Sequence, residues 1–140
     1  MPHGHWQTST FIAALRCERI DAPFLIAGAA NTEVFAGYVR HVLCPELEAG
    51  DVVILDNLCI HKTAAVVELI SARGASVRYL PAYSPDLNPI EQAFAKLKAH
   101  LRQAAARTLE DLQAALTESL ATFAPEHCRG FFRHARYASI

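Results

Sequence analysis

The sequence predicts an α/β fold in which helices alternate with the strands of a largely buried sheet. Three observations predict it. Asp51–Asp56 (DVVILD) is a short continuous apolar run, the pattern of a strand covered on both faces. Val66, Val67, Leu69 and Ile70 then recur at helical spacing up to Gly74, and Ser76–Leu80 (SVRYL) reads as a second buried strand. Strand, helix, strand in succession is the unit from which such sheets are assembled.

The remaining elements follow in chain order. Thr8–Cys17 (TSTFIAALRC) is rich in strand-forming residues, and after a turn at Glu18–Asp21, Ala22–Ala29 (APFLIAGA) reads as its hairpin partner. Asn31 or Thr32 can cap a helix carrying Val34, Phe35, Tyr38, Val39, Val42 and Leu43 at helical spacing until Pro45. Beyond the central unit, Pro81–Pro89 (PAYSPDLNP) contains three prolines. It is a loop, leading into a helix that starts near Pro89. Ile90, Phe94, Leu97 and Leu101 form one apolar stripe on that helix. Thr108, with Asp111 at the third helical position, begins a further helix, and a final one follows Pro125.

Composition sets limits on function. The chain has 140 residues, 52% hydrophobic and 19% charged, the size and apolar content of one domain around one core. The formal net charge is -1, so any nucleic-acid contact must come from local clusters of Lys and Arg. Cys17, Cys44, Cys59 and Cys128 are widely separated, without the spacing of a structural zinc site, and read as reduced, mostly buried thiols. Pro2-His3-Gly4-His5-Trp6 lacks the features of a signal peptide, and no apolar run reaches membrane-spanning length. The expected location is cytoplasmic, with no membrane partner; His3 and His5 read as incidental.

Two acidic residues stand where chemistry is expected. Asp56 ends the central strand, the place where ligand crevices of α/β sheets form, and Asn57 and His61 follow in the same loop. Its bland alternative is a turn or a helix cap. Glu91 falls at the third position of a helix with Asn88 as N-cap and Pro89 at the first position, where a capping-box glutamate would also stand. One cap does not account for the whole run YSPDLNPIE.

LDNLCIHK at 55–62 and YLPAYSPDLNPIEQAFAKLK at 79–98 resemble the DDE transposases of bacterial insertion sequences related to the mariner superfamily. PHGHWQTSTFIAAL and GDVVILDN also resemble that family, so the likeness covers nearly the whole chain. The 34 residues between Asp56 and Glu91 match the spacing of such transposases between their second and third carboxylates. The resemblance implies an RNase H-like mixed sheet flanked by helices. It implies that Asp56 and Glu91 are catalytic metal ligands, with Asn57, His61, Asp86, Asn88 and Pro89 at the surrounding motif positions. It further implies Mg²⁺ or Mn²⁺, two ions roughly 3.5–4 Å apart in a complete site, one activating the nucleophile and the other steadying the leaving oxygen. Water first cuts DNA at the element end, and the freed 3′-hydroxyl then joins that end to target DNA. The partners implied are terminal-repeat and target DNA, with a homo-oligomer assembled on DNA. Lys62, Lys96, Lys98 and Arg102 are the candidates for tracking the DNA backbone, against the alternative of a solvated helix face.

One ligand of the family's three has no counterpart. None of Glu18, Asp21, Glu33, Glu46, Glu48 and Asp51 lies in a buried strand where the first Asp is required. In an RNase H-like sheet of order 3-2-1-4-5, the strand that carries it sits between the strand of Thr8–Cys17 and that of Asp51–Asp56. The expected fold is therefore incomplete, a partial catalytic domain over 1–140 that lacks its first, central strand. Two exposed edges should make the chain alone unstable or self-associating; cooperative unfolding as a monomer would contradict this. The expected function is that of a transposase fragment, inactive until an N-terminal transposase fragment supplies the first Asp. Two alternatives stand beside it: a non-catalytic relic that binds DNA or an intact transposase, and an unrelated α/β phosphate-binding domain. The second lacks the Gly-rich loop such a domain needs.

Overall fold

The computed structural model describes residues 9–56, 63–81, 85–104, 108–135 and 137. Its elements run β1 (Ser9–Leu15), β2 (Ile20–Ala27), α1 (Thr32–Tyr38), β3 (Val52–Leu55), α2 (Ala64–Ser71), β4 (Ser76–Tyr79), α3 (Pro89–Ala104), α4 (Leu109–Ala121) and α5 (Pro125–His134). Among the described residues the fold is mixed α/β, with two small sheets and five helices, consistent with an incomplete RNase H-like domain. Among the described residues the strands form two separate two-stranded sheets, β1-β2 and β3-β4. The chain divides into two compact units, one of Met1–Ala13 and Ala22–Ser84 and the other of Ala14–Asp21 and Pro85–Ile140. Each has its own core, where composition pointed to one.

In the first unit, Asn31 caps α1, its Oδ1 accepting from the Val34 N–H at 2.8 Å. The helical path does not stop at Pro45. It widens into a π-helical turn over Val39–Leu43 and then tightens into a 3₁₀ turn over Cys44–Glu46. Proline has no N–H and its ring crowds the carbonyl four residues back, here that of His41; a widened turn relieves that contact. Phe35, Tyr38, Val39 and Leu43 from this stretch are buried together with Val66 and Ile70 of α2. β3 and β4 pair in parallel, Val52 with Ser76 through Leu55 with Tyr79. The turn before β4 depends on Gly74. Its φ is +80°, and a Cβ there would lie 3.0 Å from that of Ala49, so both backbone and neighbour exclude a side chain.

The structure corrects one expectation for β3. Predicted to be buried on both faces, it instead leaves Val52 and Ile54 exposed, at 55% and 41%, while Val53 and Leu55 are half-buried. A two-stranded sheet packed with α2 has apolar cover on one face only.

Ala22 is the one described non-glycine residue in the left-handed region, at φ +51°. That conformation costs an L-residue about 1–2 kcal/mol, so something must hold it. The Tyr38 hydroxyl does, donating to the buried Ala22 carbonyl at 2.8 Å. Tyr38→Phe removes the donor and should destabilise the chain by about 1–3 kcal/mol, read by denaturant unfolding. A change of only a few tenths would show that Ala22 is held by other contacts.

In the second unit, α3 packs with α4 and α5. Ala93, Leu97, Ala115, Leu116 and Cys128 are buried at their junction, and Ile90, Phe94 and Leu101 are half-buried beside them. Thr108 caps α4 through the Asp111 N–H at 3.0 Å, as its sequence predicts. The hairpin turn lies at Arg16–Arg19 rather than Glu18–Asp21, closed by the Arg16 N–H on the Arg19 carbonyl at 2.8 Å. The Nε atoms of Arg16 and Arg19 both donate to the Asp21 carboxylate at 2.8 Å, and that shared acid draws the turn forward. Arg129 of α5 reaches Glu18 at 3.0 Å.

Candidate functional site

Asp56 belongs to the first unit and Glu91 to the second. Asp56 follows directly on β3, where the ladder closes with the Leu80 N–H on the Leu55 carbonyl at 2.8 Å. This fixes the backbone from which its half-buried carboxylate starts. Asn57, His61 and Lys62, like Cys59, Tyr83 and the histidines near the N-terminus, lie outside the described residues.

Glu91 stands in the first turn of α3 and is exposed. Asn88 caps this helix, its Oδ1 accepting from the Ile90 N–H at 3.3 Å, while the Glu91 N–H reaches the Asn88 carbonyl at 3.1 Å. In a capping box the Glu91 side chain would turn back to the Asn88 N–H. Among the described residues its carboxylate has no hydrogen-bond or ion-pair partner. Helix capping therefore does not explain this glutamate. Asp86 is exposed in the 3₁₀ turn Pro85–Leu87 just before the helix, and Pro89 is buried.

The three basic candidates on α3 divide by face. Lys98 and Arg102 are exposed and follow Glu91 by seven and eleven residues, which places all three on one helical stripe. At 1.5 Å per residue they lie about 10 Å and about 16 Å along the axis from Glu91. Lys96 lies on another face. Its ammonium donates to His127 Nδ1 at 3.0 Å and sits 4.7 Å from the centroid of the Phe123 ring. The same Nδ1 accepts the Ala124 N–H at 3.2 Å and so closes the start of α5. Lys96 is thus part of the packing of its own unit. Nothing in the sequence marked His127 as its partner, since 31 residues separate them.

Cys44 and Cys128 are buried, and burial pushes both thiols up despite Arg73 beside the first and Lys96 and Arg129 beside the second. Both are inert packing groups at neutral pH. Cys17 is exposed.

Among the described residues no group of three or more His, Cys, Asp or Glu side chains could hold a metal ion. Asp56 and Glu91 nevertheless have the chemistry a hard divalent cation prefers, carboxylate oxygen on a backbone fixed by a strand end and a helix start. Residues 1–113 match the family described as DDE superfamily endonuclease. The chain belongs to that family. No curated relative matches it. As a DDE endonuclease domain it is of the transposase-type nucleases, which act on DNA and depend on a divalent metal. No helix among the described residues is long and apolar enough to cross a membrane.

Proposed function

We propose that this DDE endonuclease domain is the catalytic part of an insertion-sequence transposase, cutting DNA at element ends and joining the freed 3′-hydroxyl to target DNA. The family match over residues 1–113, which spans both acidic residues, carries the reading. Asp56 and Glu91 serve as the second and third carboxylates, and the first is supplied by a segment other than residues 1–140. When bound, Mg²⁺ or Mn²⁺ supplies a polarised nucleophile and stabilises charge on the leaving oxygen. The chain's own part is to hold two carboxylates in place and to orient the duplex. Glu91 is suited to this because its carboxylate is not engaged in capping. Lys98 and Arg102, on the same exposed stripe, are positioned to take phosphates of a duplex that continues past it.

The test is to mix the chain with an N-terminal transposase fragment carrying the first strand and its Asp, then assay nicking of a terminal-inverted-repeat duplex with Mg²⁺. Nicking by the mixture, and by neither part alone, is the expected result. Retained DNA binding without nicking would support the second reading, a relic that binds DNA or an intact transposase.

A further inference from the structure

The register of β3 and β4 places an unassigned arginine beside the strand that ends in Asp56. Ile54 pairs with Arg78, and side chains alternate between the faces of a strand. Val52, Ile54 and Asp56 therefore share one face of this sheet with Ser76 and Arg78. Val52, Ile54, Ser76 and Arg78 are exposed, and Val53, Leu55 and Val77 of the opposite face are half-buried; Tyr79, at the end of β4 on that opposite face, is also exposed. Neighbouring strands lie about 4.8 Å apart and two residues rise about 6.6 Å, so the Arg78 and Asp56 backbones stand roughly 8 Å apart. An arginine spans most of that distance.

Among the described residues Arg78 has no structural employment in this unit. Its ladder partner is apolar Ile54, and among the described residues its guanidinium has no hydrogen-bond or ion-pair partner. The usual account of such a residue is a solvated surface charge. Here, however, it is a cation on an open sheet face, two residues along from a carboxylate, in a chain whose net charge is only -1. A DNA phosphate approaching Asp56 is repelled by that acid, and a neighbouring cation offsets the repulsion. A guanidinium also offers two parallel N–H donors to the non-bridging oxygens of a phosphate.

We propose that Arg78 binds the DNA phosphate adjacent to the one cleaved, seating the backbone across the β3-β4 face so that the scissile phosphate comes to Asp56. This rests on the reading of Asp56 as a metal ligand. Arg78 is a binding and positioning residue and takes no part in bond making.

Phosphate contact carries no sequence information, so the probe is a fluorescein-labelled duplex of arbitrary sequence, titrated with the whole chain at several salt concentrations. Arg78→Ala should weaken binding about three- to tenfold at low salt and flatten the plot of log K against log salt by about one. Arg78→Lys should keep the wild-type slope with a smaller loss of affinity, and Arg78→Gln should behave as Ala. A merely structural role would leave the slope unchanged. Wild-type affinity and slope in Arg78→Ala would overturn this inference alone. Failure of the unmodified chain to bind the duplex at all would overturn it together with the proposed function.

Discussion

Asp56→Asn abolishes strand cleavage by the complemented domain, lowering the nicking rate by at least about a thousandfold, while the chain still folds, as judged by its circular dichroism spectrum. The choice of asparagine is what gives the experiment its force. Asn is isosteric with Asp and serves equally well in a turn or at a helix cap. If Asp56 only shaped the end of β3, the substitution would be silent. A metal ligand behaves otherwise, because an amide lacks the negative charge that holds a hard cation. Metal-ion stabilisation of a phosphoryl transition state amounts to several kcal/mol, and each 1.4 kcal/mol is a tenfold change in rate. Glu91→Gln follows the same logic: glutamine also satisfies a capping box, so a loss of comparable size separates ligation from capping at that position. Rates within tenfold of wild type in either variant would remove that residue from the site.

The strand end before Asp56 and the helix start before Glu91 were legible because both have local signals, DVVILD and Asn88-Pro89. The caps at Asn31 and Thr108 were legible for the same reason, since each is decided within four residues. What escaped depends on groups distant in sequence. His127 claims Lys96 from α5, so one candidate DNA contact is engaged in packing. The exposure of Val52 and Ile54 depends on which layers cover the sheet, and apolar content alone reads as burial. The hairpin turn shifted because Asp21 collects both Arg16 and Arg19, and propensity does not register that arrangement. Arg78 required the register of a parallel pair. No spacing rule within one strand supplies it.

Ile70→Ala should be the most damaging single substitution in the first unit, lowering stability by about 2–5 kcal/mol. Ile70 is fully buried near the end of α2, and its carbonyl also accepts the N–H groups of Arg73 and Ala75 in the turn that leads to β4. Truncation leaves a cavity on the helix that packs both on β4 and on the π-helical turn after α1, so no single neighbour can move in to fill it. Domains of this size hold only about 5–15 kcal/mol in total. Sheets with open edges bury less than closed ones, which leaves a smaller reserve here. The measurable result is a fall in the thermal midpoint of more than about 10 °C, at several degrees per kcal/mol. Val67→Ala provides the internal control. It removes a branched apolar side chain three residues earlier on the same helix, at a position 37% exposed, and should shift stability far less. Ile70→Val, which removes one methylene and keeps the branching, should cost about 0.5–1.5 kcal/mol. If Ile70→Ala and Val67→Ala melted together, α2 would not be the buried centre of this unit. The parallel β3-β4 pair that carries Asp56 would then need another source of rigidity.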